Sequence, residues 1–225
     1  GYLQGVVLYG SETSRGSFRN DGTTSITLSA NDGLDPATAT NAGAIGLHLS
    51  YGDGVNTGDM TLDIAGLRTD AIKLENGSTF TNSGSITVNS KASEGNDQAI
   101  FVISGSTFTN TESGHFTYNY INEDPLLKTA SSDGLSTTGG SSSVNQGTID
   151  IHLKDLAQRE TGKFMKGFYV GDKATFTNSG VINLTSETLG SAEAIDGAVA
   201  VNGVFENLGD VTLDVTSHGS DRQVW

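Results

Sequence analysis

Gly77-Ser-Thr-Phe-Thr-Asn-Ser-Gly-Ser-Ile-Thr-Val88 returns, slightly edited, from one end of this chain to the other. Residues 105–118 read GSTFTNTESGHFTY, 173–184 KATFTNSGVINL, 203–213 GVFENLGDVTL and 16–28 GSFRNDGTTSITL. Two weaker copies, GVNTGDMTLDI at 54–64 and SVNQGTIDIHL at 143–153, bring the set to seven. Aligned, all seven carry an asparagine at one position: Asn20, Asn56, Asn82, Asn110, Asn145, Asn178 and Asn207. Subtraction gives separations of 36, 26, 28, 35, 33 and 29, a period near thirty that is not constant.

A repeat of that length, made of β-formers and turn residues without an amphipathic helix, predicts a stacked β-solenoid. Upstream of each asparagine runs a short alternating strand, read from Val7 and Tyr9, Ile45 with Leu47 and Leu49, Ile72 and Leu74, Ile100 and Val102, Phe168 and Val170, and Val199 and Val201. Downstream runs another, with Ile86 and Val88 or Ile182 and Leu184 as examples, and both have the period of two that buries one face. With the Phe-x-Asn step between them, each copy has three sides and three corners. The predicted fold is all-β, a right-handed parallel β-helix of about seven triangular coils with loop insertions at one corner. Length variation collects after the downstream strand, at residues 29–43, 119–140 and 154–166. Insertions are tolerated at a corner and not within a stacked side, so these segments are expected along one edge, with both prolines, Pro36 and Pro125, inside them.

Stacking turns repeated positions into columns. Phe18, Phe80, Phe108, Phe176 and Phe205 are expected in one interior column, broken where Gly54 and Ser143 replace the ring. Identical asparagines one rung apart can donate and accept along a hydrogen-bonded ladder. Asparagine and the glycine two residues on (Gly22, Gly58, Gly84, Gly147, Gly180, Gly209) also suit a corner with left-handed backbone. At Asn110, where Thr111-Glu112-Ser113 precede Gly114, a small bulge is expected.

Composition bounds what such a rod can do. The formal net charge is −14, with few cations to replace phosphate counterions, which excludes nucleic acid as a partner. There is no cysteine, hence neither a disulfide framework nor a thiolate metal site. No apolar run approaches the roughly 20 residues of a membrane helix, so no membrane insertion of this segment is expected. The chain opens and closes in mid-pattern, which reads as one β-helix domain over residues 1–225, cut from something longer.

Chemistry is sparse. His48, His115, His152 and His218 show no metal-ligand spacing, and no serine sits in a nucleophile elbow. A polysaccharide lyase or hydrolase would need clustered carboxylates with cations for an acidic glycan, whereas the acids here are scattered and arginines number five. Asp63, Asp150 and Asp214 fall at similar positions and read as an outward acidic column. The string Tyr51-Gly-Asp-Gly-Val-Asn-Thr-Gly-Asp59 is a single acidic copy, a turn before a calcium site. No metal, no cofactor and no catalytic residue is predicted.

STFTNSGSITV, ATFTNSGVINL and GVFENLGDVTL resemble the degenerate Asn-x-Gly-x-Ile coils of autotransporter passenger domains, the β-helices of bacterial type V secretion, particularly self-associating adhesins of the antigen-43 and AIDA type. The resemblance spans residues 5 to 216. It implies a fragment of a longer passenger, secreted to the bacterial outer surface and acting as a non-enzymatic adhesin or aggregation module through the flank and loops of the rod. Self-association between rods and a host glycan or protein are the partners implied. The binding residues expected on the long corner are Tyr118, Tyr120, Asn122, Glu123 and Asp124, because aromatic and polar groups on an exposed loop suit such ligands. The alternatives are a pectin-lyase-like carbohydrate enzyme and a passive spacer.

Overall fold

A computed structural model describes residues 2–30, 43–92, 96–122, 131–155, 165–188 and 195–217. Its twenty-one strands form three parallel sheets of seven. The first sheet holds β1 (Tyr2–Tyr9), β4 (Gly43–Ser50), β7 (Arg68–Glu75), β10 (Asn96–Val102), β13 (Ser131–Thr137), β16 (Met165–Gly171) and β19 (Ile195–Val201). The second holds β2 (Gly16–Asn20), β5 (Gly52–Asn56), β8 (Thr79–Asn82), β11 (Thr107–Asn110), β14 (Ser142–Asn145), β17 (Thr175–Asn178) and β20 (Val204–Asn207). The third holds β3 (Thr23–Ser29), β6 (Asp59–Gly66), β9 (Ser85–Ala92), β12 (His115–Asn122), β15 (Thr148–Asp155), β18 (Val181–Thr188) and β21 (Asp210–Ser217). Each strand pairs with the strand three places on, so seven three-sided coils stack as a parallel β-helix.

The asparagines lie in register through all seven rungs. The first six each donate from Nδ2 to the Oδ1 of the asparagine one rung on: Asn20 to Asn56 at 2.7 Å, Asn56 to Asn82, Asn82 to Asn110 and Asn110 to Asn145 at 2.8 Å, and Asn145 to Asn178 and Asn178 to Asn207 at 2.7 Å. The same nitrogens reach backbone carbonyls opening the next third-sheet strand, such as Ser85, His115 and Thr148. Those carbonyls sit at a corner where the ladder geometry stops, so the side chain satisfies what the backbone leaves open.

The left-handed corner lies elsewhere. None of the seven ladder asparagines has positive φ; among the described residues the left-handed ones are Tyr51, Asn76, Gly77, Ser104, Gly105, Gly139, Gly140, Asp172, Lys173 and Asn202, all between the first and second sheets. The Asn-x-Gly glycines are required instead by close approach. A β-carbon on Gly84 would overlap the carbonyl oxygen of Gly58, and one on Gly180 that of Gly147. Gly22, on the first coil, would meet nothing. Gly84→Ala is therefore expected to cost about 1–3 kcal/mol by forcing two coils apart, and Gly22→Ala less than about 0.5 kcal/mol. Equal melting temperatures for the two variants would remove this explanation.

The interior is one apolar cluster drawn from all three sheets. The five phenylalanines share a column, with Phe80 and Phe108 stacked at 6.4 Å and Phe176 and Phe205 at 5.1 Å. Across Gly54 the Phe18 and Phe80 rings close to 6.4 Å, filling the gap the glycine leaves. Ser143, the other break, bonds the buried Thr137 hydroxyl at 2.7 Å, so two polar substitutions in the core satisfy each other. Thr111 to Gly114 form the expected turn, closed by Gly114 N–H to the Thr111 carbonyl at 2.8 Å.

Several strand readings change. In the end coils the inward residues are Val6 and Leu8 and, by register, Ala198 and Ala200, not Val7 and Tyr9 or Val199 and Val201. Both faces of those strands are apolar in sequence, so alternation alone does not choose between them. β12 continues through Asn122 and β13 begins at Ser131, inside the segment read as a loop over 119–140, because β13 is a strand of mostly polar residues. The longer connections, after β3, β12 and β15, all join the third sheet to the first, the single corner expected. Pro36 and Pro125 lie outside the described residues.

Candidate functional site

Of the five residues expected on the long corner, three are interior. Tyr118, Tyr120 and Asn122 are each 0 % exposed, because the period of two that buries Phe116 simply continues to the end of β12. Glu123 and Asp124 lie outside the described residues. Tyr118 instead closes a polar cluster within the rod: its hydroxyl donates to Asp97 Oδ2 at 2.8 Å and bonds Ser132 Oγ at 2.8 Å. Ser90 donates to Asp97 Oδ1 at 2.7 Å, and Thr69 donates to the same oxygen. Burial pushes the Asp97 carboxyl up to about 6 against the pull of those three hydroxyls, and burial beside Asp97 pushes the Tyr118 phenol up further.

On the outer side of the same strands, one column runs Asp70, Gln98, Asp133, Lys166. Burial lifts Asp70 to about 6 despite Lys73, and raises Asp133 despite Lys166, whose Nζ stands 3.3 Å from its Oδ1. Asp70 and Asp133 are two rungs apart, about 10 Å. Glycoside chemistry wants two carboxyls facing one cleft at about 5 to 9.5 Å. Here Asp133 is ion-paired, the Gln98 rung separates the two, and Asp97 opens to the lumen, so the three acids do not face a common substrate.

The outer face of the third sheet offers more. Its column Thr27, Asp63, Asn89, Asn119, His152, Thr185, Asp214 crosses every coil. Asn119 donates to Asn89 at 2.8 Å, Asn89 to Asp63 at 2.7 Å, and His152 Nδ1 bonds Thr185 Oγ1 at 2.8 Å. Two grooves follow this column. One, of about 410 Å³, is lined by Thr27, Asp63, Asn89, Lys91 and Asn119. The other, of about 430 Å³, is lined by His152, Lys154, Thr185, Glu187 and Asp214. They meet at Ile121, which is 47 % exposed.

Asp150 is not in this column but in its neighbour, Thr61, Thr87, Thr117, Asp150, Asn183, which corrects the single acidic column expected for Asp63, Asp150 and Asp214. Burial would raise the Asp150 carboxyl, but hydrogen bonds from Asn183 (2.8 Å) and His115 (2.6 Å) hold it below its ordinary value. A sequence signal for both columns exists. The inner of the two begins five residues past each ladder asparagine and the outer seven, with two more at Asn110 for its turn. In the acidic string at 51–59, Asp53 pairs with Arg15 at 2.7 Å. Among the described residues no three His, Asp or Glu side chains gather as metal ligands, and no helix is long and apolar enough to cross a membrane.

A family model described as the BigA third pectate lyase-like domain matches residues 48–222, 175 of the 225 residues by subtraction. No curated protein and no solved structure matches the chain.

Proposed function

This chain belongs to the family of BigA third pectate lyase-like domains, and on that premise we propose that it is a non-enzymatic adhesive module displayed at a bacterial surface. It is a pectate lyase-like β-helix domain of a BigA-type surface protein. The observation that carries the adhesive reading is the unbroken outer column from Thr27 to Asp214 with grooves beside it. Seven polar side chains one rung apart give many weak contacts along one line, and such contacts add through effective concentration. The partners the reading calls for are a host glycan or protein, or a second rod. Glu123 and Asp124 are the loop part of the same proposal.

The lyase alternative is not carried further, because the acids that would have to converge are split between lumen, ion pair and outer face. Removing residues 119–133 is no test of adhesion, since it would take Tyr120 and Asn122 out of the core. The suitable variant is Asp63→Ala, Asn89→Ala, Asn119→Ala, all outward. Cells displaying it are expected to adhere or aggregate at least about tenfold less than cells displaying the native chain, roughly 1.4 kcal/mol in aggregate binding, with the rod still folded by circular dichroism. Unchanged adhesion would defeat the flank assignment, and a native chain that adheres to nothing would leave the passive spacer.

A further inference from the structure

We propose that the Asp97 carboxyl, sealed in the lumen of the fourth coil, is a proton switch that sets the first groove of the outer flank by way of Ser90 and Tyr118. It would regulate the flank named above, and its effect on adhesion rests on that reading. By register, the lumen column of the first sheet runs Ala44, Thr69, Asp97, Ser132, Met165, polar for three rungs and apolar on either side. Ser90 and Tyr118 complete the compartment from the third sheet, and all five polar residues are 5 % exposed or less. No cation balances the carboxylate. Among the described residues its contacts are the hydroxyls of Thr69, Ser90 and Tyr118. The charges acting on it from the neighbouring strands, Asp70 on β7 and Asp133 on β13, are of like sign, while Lys73 pairs with Glu75 at 2.9 Å and Lys166 with Asp133 at 3.3 Å.

An unbalanced charge in such a compartment is costly, whereas the protonated acid is not. The hydroxyls serve both states, because the bond between Tyr118 and Ser132 at 2.8 Å can run either way. With the carboxylate ionised, Ser132 donates to Tyr118 and Tyr118 to Asp97 Oδ2. With Oδ2 protonated the order reverses, Asp97 donating to Tyr118 and Tyr118 to Ser132. Burial places the exchange at about pH 6. The groove is one residue away. Each third-sheet strand that gives a hydroxyl to Asp97 gives an adjacent residue to the outer face, Asn89 beside Ser90 on β9 and Asn119 beside Tyr118 on β12. Those two residues carry the amide line from Asn119 to Asn89 to Asp63. Ser90 also lines the groove, so solvent drawn to an ionised carboxylate enters through the groove floor and parts that line. The groove is therefore set as described below about pH 6 and loosened above it.

The switch is read without a ligand. In the chain of residues 1–225, the side-chain amide resonances of Asn89 and Asn119 are expected to move between pH 5 and pH 7.5 with one midpoint at about 6, shared with the Asp97 carboxyl carbon. Asp97→Asn, whose Nδ2 can donate to Tyr118 as the protonated acid does, is expected to abolish the step and hold both amides at their acid positions. Tyr118→Phe removes one of the three donors to the carboxylate and is expected to raise the midpoint by about half a unit or more. Asp63, Lys91 and His152 also stand beside the amide line. A step that persists in Asp97→Asn would belong to one of them and overturn the proposal, as would a native chain with no step or a Tyr118→Phe midpoint that does not rise. Cells displaying the native chain are expected to adhere about threefold more at pH 5 than at pH 7.5, and cells displaying Asp97→Asn equally at both; native adhesion that is the same at the two values would also overturn it. Cells that adhere at neither pH would defeat the adhesive reading, while the titration still decides the switch.

Discussion

Asn110→Ala is expected to lower the stability of the rod by about 2–5 kcal/mol, far more than Asn207→Ala at the last rung. Asn110 is fully buried and accepts from Asn82 while donating to Asn145 and to the Gly114 and Thr148 carbonyls. Truncation leaves the Asn82 amide short of a partner and Asn145 Oδ1 without its donor, and each buried group so stranded costs about 1–3 kcal/mol. Asn110→Asp is expected to be worse than alanine at neutral pH, although its shape is closer. It keeps the acceptor for Asn82 but turns a second oxygen toward three acceptors, and it buries a charge. Asn207 is exposed and donates to its own Gly209 carbonyl instead of to a further asparagine among the described residues, and it loses at most about 1 kcal/mol. Thermal or denaturant unfolding of the three variants measures the order Asp, Ala, then the end rung; an equal loss at rungs four and seven would contradict cooperative stacking of the amides.

The second large effect is of pH. Asp97 and Asp70, each with an ordinary carboxyl value of 3.8, are held at about 6 by burial, and Asp133 is raised as well. A carboxyl whose folded value is raised binds a proton in the folded state where the unfolded chain does not. Its stabilising contribution is complete below about 3.8 and is lost as pH rises through about 6. The rod is therefore expected to be more stable at pH 5 than at pH 7.5, by something on the order of 3 kcal/mol. A formal charge of −14 at neutrality pushes in the same direction. Below about pH 4 the trend reverses, because Asp53, Glu75 and Asp150 are held below their ordinary values and lose their partners on protonation. Asp97→Asn is expected to raise stability at pH 7.5 and flatten the slope between 5 and 7.5. Denaturant midpoints across that range check both; stability constant or rising from pH 5 to 7.5 would mean that the carboxyl is not buried as described.

The coil was legible because a ladder asparagine must recur at one place in every rung, and seven of them gave both the period and the register. The phenylalanine column followed from the same alignment. What was not legible has physical causes. Tyr118 shares the alternation of Phe116, but Tyr120 looked like a loop aromatic because the segment after it carries no strand pattern, yet β13 forms from Ser131 to Thr137 by pairing between two neighbouring strands rather than by its own propensity. The lumen carboxylate was invisible for the same reason. Asp97 faces inward only because Thr69, Ser90, Tyr118 and Ser132 arrive from four other strands with hydroxyls. The glycines of the Asn-x-Gly corner were rightly located and wrongly explained, since rung-to-rung crowding, and not backbone handedness, is what excludes a side chain there. The outer column from Thr27 to Asp214 was within reach by counting seven residues from each asparagine, but only once the two-residue turn after Asn110 is allowed for.

Nuclear Overhauser contacts between ladder side-chain amides test the stack most directly. The Nδ2 protons of Asn56, Asn82, Asn110, Asn145 and Asn178 are expected to exchange slowly with solvent and to show cross-peaks to the backbone of the next rung, Asn82 to His115 and Asn110 to Thr148 among them. Amide protons that exchange at the solvent rate, with contacts only to residues nearby in sequence, would contradict the coiled stack and everything built on it.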